Sequence, residues 1–302
     1  NSDSEKEILK ISITLYSIIC TLGIIGNGLV IWIAGFRMKK TVSAVWFLNL
    51  AIADFLCCAS LSLRIVNGVS VSLWTTIISC ILSIFLFLLN ISASVLLLTA
   101  MSIDRWVSVI WPIWVKINRT RKLVIVTAVC IWCLSALWTV FVFMYHLNHS
   151  LNINEWCFNI DRSYYGYPNF QTIILIRLFT MFVIPFLIIL TSYVTIFFKL
   201  IYSKRPQRSQ RPYRIITAVI LCFFICWCPY YIWPLTPMYH QIAFEAFLVD
   251  LVITTLACLN SCLNPIIYVF MTPDIKQGFF RSIPSRLKRT LNDQPTDLQR
   301  EF

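Results

Sequence analysis

Read only for apolar and polar positions, the chain alternates seven long apolar runs with shorter polar stretches. The runs cover residues 9–36, 43–66, 76–110, 123–145, 170–201, 213–235 and 244–270. A helix rises about 1.5 Å per residue, so each run is long enough to cross the roughly 30 Å hydrocarbon core of a bilayer. The pattern predicts an all-α membrane protein with a seven-transmembrane helix bundle at 9–270. A polar tail at 1–8 precedes the bundle, and a segment at 271–302 follows it. In that last segment Phe279 and Phe280 stand among Lys276 and Arg281, the composition of a short amphipathic eighth helix lying in the interface.

Composition supports a membrane protein, with 59% hydrophobic and 13% charged residues, against about 25% charged in soluble domains. The net charge of +12 suggests nucleic acid until the charges are placed. Lys6, Lys10 and Arg162 fall in the tail and loops of one side, and Arg64 and Arg177 fall within spans. Every other Lys and Arg follows an odd-numbered span or sits at its end. The positive-inside bias makes that side cytosolic, so the reading is a multi-pass plasma-membrane protein with its N-terminus extracellular and its C-terminus cytoplasmic. The basic charge is topology and gives no nucleic-acid patch. Asp3, Glu5, Glu7, Glu155, Asp161, Glu245 and Asp250 then line the outer mouth. They form either a field that attracts cationic groups or an ordinary solvated surface.

With the sides assigned, only Cys80 and Cys157 of the 12 cysteines reach the oxidising side. A Cys80–Cys157 disulfide would pin the long segment between the fourth and fifth spans to the bundle. The other cysteines lie within spans as small apolar residues, and no spacing suits a metal site. Of three N-glycosylation sequons, Asn90 lies inside a span and Asn118 in a cytosolic loop, which leaves Asn148 as the acceptor. No cleavable signal peptide is read in the acidic start.

Polar residues inside spans are costly and mark function. Asp54 lies mid-span, where a lone carboxylate protonates or finds a cation. Asn90 and Ser94 on the third span, with Asn260, Ser261 and Asn264 on the seventh, offer oxygens around it. They form either an allosteric sodium site or a hydrated hydrogen-bond network. At the inner end of the third span Asp104 and Arg105 are adjacent, so the carboxylate is expected to hold the guanidinium. The histidines His146, His149 and His240 all fall outside, and no HExxH or nucleophile elbow is present, so an enzyme is not expected.

Four features in order carry a resemblance: Asp54 in "LAIAD", "IDRW" ending the third span, Cys226-Trp227-Cys228-Pro229 in the sixth, and Asn264-Pro265-Ile266-Ile267-Tyr268 in the seventh. Together they closely resemble the rhodopsin-like (class A) G-protein-coupled receptors. Asn27, Trp132, Pro185, Tyr193 and Phe223 extend the likeness to nearly the whole chain. The resemblance implies that kinks at Pro229 and Pro265 act as hinges and that ligand pressure near Trp227 swings the sixth span outward. Asp104, Arg105, Tyr193, Phe223 and Tyr268 would then form the switch that receives a heterotrimeric G protein. Coupling is a population shift without chemistry.

"GNGLVIWIAGFRMKKTVSAVWFLNLAIADFL", "FFICWCPY" and "NSCLNPIIYVFM" are similar to the chemoattractant branch, which includes the formyl-peptide, chemerin and anaphylatoxin receptors. Phe87 stands where aminergic receptors carry Asp, and the seventh span has no Lys for retinal. Arg177 falls where the branch carries a basic residue that reaches a ligand's acidic group. Ile173 and Leu88 replace the other two residues of the formyl-peptide set, so that ligand is not carried over. Arg64 either anchors a second acid, pairs with Asp250 or Glu245, or snorkels to headgroups. Phe87, Leu88, Trp227, Tyr230, Tyr231, Trp233 and Asp250 complete the expected pocket lining, with Trp156 and Phe158 from the loop.

The sequence thus predicts a receptor for a chemotactic peptide or lipid-like acid, coupled to an inhibitory-class G protein and embedded among membrane lipids. Sodium is a possible modulator and no cofactor is required. A non-signalling scavenger of the same fold remains an alternative, and a transporter a weaker one, since the halves show no repeat. The tail residues Ser282, Ser285, Thr290 and Thr296 leave arrestin open.

Overall fold

The computed structural model describes residues 2–37, 41–69, 73–149, 170–202, 211–236 and 244–271, with side chains for most of them. Seven helices are long and apolar enough to cross a membrane, and every element among the described residues is helical. The first span is Ser2–Trp32, extended by a π turn at Ile33–Arg37. The second and third are Val42–Val69 and Leu73–Ile110, and a short helix at Pro112–Asn118 leads to the fourth at Arg121–His149. The fifth has three parts, an α-helix at Phe170–Leu178, a π turn at Phe179–Val183 and an α-helix at Ile184–Tyr202. The sixth is Arg211–Ile232 with a 3-10 turn at Trp233–Leu235, and the seventh is Phe244–Met271. Both helices run through their internal prolines, Pro229 and Pro265. Each proline removes one backbone donor and weakens its helix locally.

The bundle closes into a ring. The first, second and third spans pack in order, the third also meets the fourth and fifth, and the seventh joins the sixth to the first and second. Lipid is as apolar as leucine, so close contact and interhelical hydrogen bonds hold such a ring together. Gly26 shows the close contact, since a Cβ there would lie 3.2 Å from Pro265 Cβ and Cγ. Asn27 Nδ2 donates to the Ser261 carbonyl at 2.8 Å, tying the first span to the seventh. Trp132 Nε1 donates to Asn49 Oδ1 at 2.9 Å, tying the fourth to the second. Outward faces such as Leu134, Leu137, Phe197 and Ile225 are exposed, as lipid contact requires.

Candidate functional site

Aromatic side chains from the third, fifth and sixth spans meet toward the end of the bundle that carries Arg64 and Arg177. Trp227 is fully buried, and its ring lies 5.9 Å from Phe223, 5.6 Å from Phe87 and 5.6 Å from Tyr230. Phe87 and Tyr230 close the triangle edge to face at 5.6 Å, the arrangement aromatic quadrupoles favour. Tyr231 continues the wall to Phe182 of the fifth span at 5.1 Å. Trp227 Nε1 and Tyr231 Oη are buried without a hydrogen-bond partner among the described residues, so two donors remain to be satisfied there.

Both intramembrane arginines stack on this wall. The Arg177 guanidinium lies 5.0 Å from the Tyr230 centroid and 5.8 Å from that of Tyr231. Arg64 lies 5.1 Å from the Phe87 ring. At these distances an aromatic face attracts a cation, by about 2 kcal/mol or more once both are desolvated. The π turn at Phe179–Val183 sets the direction in which Arg177 points, with Ile184 N–H bonding back to the Phe179 carbonyl. The extra residue rotates everything before it relative to Pro185. Arg64 also lies close to the Tyr16 hydroxyl of the first span, and Asp250 is within electrostatic reach of that hydroxyl. Leu88 is buried next to Phe87 in the chain, and Trp233 is buried apart from the wall, against Val249 and Ile253 of the seventh span.

Deeper in the bundle the six sequence-predicted polar residues are all buried. Asn264 Nδ2 donates to Asp54 Oδ2 at 2.7 Å, and Asn90 Nδ2 donates to Ser94 Oγ at 3.3 Å. Asn90 and Ser261 flank the same carboxyl. Asp54 Oδ1, Asn90 Oδ1, Asn260 Oδ1, Ser261 Oγ and Asn264 Oδ1 are buried with no hydrogen-bond partner among the described residues. A set of hard oxygens short of donors fits a monovalent cation, and it equally fits water.

At the opposite end the expected Asp104–Arg105 pairing is replaced. Asp104 accepts both Nε and Nη2 of Arg119 at 2.6 Å, a bidentate pair in a site where the two side chains are 11% and 21% exposed. Arg105 Nη2 donates to Ser43 Oγ of the second span at 2.8 Å. Neighbouring residues diverge by about 100° around a helix, so Asp104 faces the connecting helix while Arg105 faces the bundle. Sequence reasoning missed Arg119, Ser43 and Tyr16. The basic "NRT" just beyond "VKI" was the only signal for Arg119. Tyr193 is half-buried and packs on the core.

Cys80 is disulfide-bonded, and its expected partner Cys157 lies outside the described residues. So do Trp156, Phe158, the eighth helix and the tail, and so do the side chains of Asn148, Glu245 and Tyr268.

Comparison with known proteins agrees with this arrangement. Residues 26–268 match the family described as 7 transmembrane receptor (rhodopsin family). The chain is 38% identical over 300 residues to the chemerin-like receptor 1 of Sus scrofa, covering 93% of this chain and 82% of that one. It is 34% identical over 304 residues to the C3a anaphylatoxin chemotactic receptor of Danio rerio, covering 99% and 82%. It is 36% identical over 285 residues to the C5a anaphylatoxin chemotactic receptor 1 of Danio rerio, covering 92% and 82%. With seven spans in a closed ring and the family's motifs on the expected helices, the chain belongs to the rhodopsin family of G-protein-coupled receptors, in its chemoattractant branch, and is a receptor rather than an enzyme.

Proposed function

We propose that the chain is a plasma-membrane receptor, N-terminus outside, for a chemotactic peptide or lipid-like acid, and that it activates an inhibitory-class G protein. The observation that carries this reading is Arg177, a cation inside a span with its guanidinium against Tyr230 and Tyr231. An apolar aromatic wall with a few placed charges suits a ligand that brings its own carboxylate. Relatives named for chemerin and for the C3a and C5a anaphylatoxins support a ligand of the same chemotactic kind.

Such a ligand would meet Phe87, Trp227 and Tyr230 as one packed unit, so pressure on Trp227 reaches Phe223 directly. Pro229 sits two residues beyond Trp227 and gives the sixth span its hinge. Displacement of that helix would open the end where Arg105 and Tyr193 lie and admit the G protein, with Tyr268 and arrestin as further participants. Asp54, Asn90, Ser94, Asn260, Ser261 and Asn264 would hold sodium, which supplies a positive charge among otherwise unsatisfied oxygens. The reading also includes a Cys80–Cys157 bridge and glycosylation at Asn148.

The test is a G-protein activation screen of chemotactic peptides and lipid acids on wild type and Arg177→Ala together. Truncating one partner of a buried charge pair costs about 2–5 kcal/mol, so an acid-bearing agonist should lose at least tenfold in potency. An unchanged dose response would remove Arg177 from the site. Ligand binding without nucleotide exchange would make the chain a scavenger.

A further inference from the structure

Five cysteines converge where the first, second and seventh spans meet. Cys20 comes from the first, Cys57 and Cys58 from the second, and Cys258 and Cys262 from the seventh; all are buried free thiols. A single buried cysteine is only a small apolar residue. Here sulfur is set against sulfur twice between the same two helices. Cys258 and Cys262 are four residues apart and share a helix face, with Cys57 against the first and Cys58 against the second.

The Cys58–Cys262 pair is the better defined. A Cβ placed on Gly23 would lie 2.0 Å from Cys58 Sγ and 3.3 Å from Cys262 Sγ. The two sulfurs therefore crowd one point, and residue 23 leaves it free. The Cys262 thiol donates to the Ile19 carbonyl at 3.3 Å, and Cys58 Sγ lies near it across the contact of the second and seventh spans. Two thiols brought to one point from different helices are the reactants of a disulfide.

We propose that Cys58 and Cys262 are a modification site, oxidised by a small neutral peroxide such as hydrogen peroxide to a disulfide joining the second and seventh spans. The Cys262 sulfur attacks one peroxide oxygen, the O–O bond breaks, and a sulfenic acid and one water form. The Cys58 sulfur then displaces the sulfenic oxygen as a second water and the S–S bond closes. Two thiol protons and two electrons pass to the peroxide, and no net charge is left in the apolar interior. The cross-link would anchor the seventh span three residues before Pro265 and so restrain the segment that its hinge must move.

The experiment uses the full chain in lipid nanodiscs, treated with hydrogen peroxide, capped with N-ethylmaleimide and digested without reductant for mass spectrometry. The expected result is a peptide pair joined through Cys58 and Cys262, lost on reduction, retained in Cys57→Ala and absent from Cys58→Ala and Cys262→Ala. Oxidised wild type should also unfold at a higher temperature than reduced wild type, with no such difference in the last two variants. Recovery of both thiols as maleimide adducts, a Cys57–Cys258 linkage instead, or a linkage that leaves the unfolding temperature unchanged would overturn it. No agonist enters these readouts, so they stand apart from the ligand screen.

Discussion

At the residue scale, the pairing of Asp104 shows what a charge does when its sequence neighbour points elsewhere. The bidentate Arg119 bonds at 2.6 Å fasten the short Pro112–Asn118 helix and the start of the fourth span to the third. Removing one partner from a mostly buried pair strands the other at a cost of about 1–3 kcal/mol. Thermal unfolding of Arg119→Ala, Asp104→Asn and the double variant should give a clear coupling energy, with the double variant little worse than either single one. Strictly additive losses would show that the two side chains act separately. The sequence made both charges legible, because charges at span ends are few. It hid their partners, because pairing depends on how a loop folds back. Asp54 was easier to read: a mid-span carboxylate is conspicuous, and the helix periodicity that places Asn90, Ser94, Ser261 and Asn264 toward the interior brought them to it.

At the scale of the element, hydropathy identified all seven spans but neither π turn. Lipid-facing spans are apolar nearly all round, so one inserted residue leaves no mark on their periodicity. The π turn at Phe179–Val183 is nevertheless what aims Arg177. Deleting Thr180, a half-buried residue whose hydroxyl bonds the Ile176 carbonyl of its own helix, should restore regular α-helix and rotate the preceding residues by about 100°. Arg177 would then leave the faces of Tyr230 and Tyr231. The deletion should reproduce the potency loss of Arg177→Ala for any acid-bearing agonist found by screening, while surface expression stays near wild type. Wild-type potency in the deletion would show that the direction set by the turn is irrelevant to the ligand.

At the scale of the whole molecule, the ring explains how two distant ends communicate. The seventh span touches the first, second and sixth, and it carries both Asn264, bonded to Asp54 at 2.7 Å, and Ser261, whose carbonyl accepts from Asn27 at 2.8 Å. A rearrangement of the seventh span that admits a G protein would disturb this junction, so on the proposed reading a cation seated there would stabilise one arrangement of the bundle over the other. By linkage the cation and the agonist then alter each other's affinity by one common factor, typically about 5–150-fold. Replacing sodium chloride with N-methylglucamine chloride at equal ionic strength keeps screening constant and isolates occupancy of the site. Agonist affinity in wild type should change on that exchange. In Asp54→Asn, which keeps the side chain's shape and removes its charge, the change should be lost. A full sodium response in the variant would place the ion elsewhere and leave the buried oxygens to water.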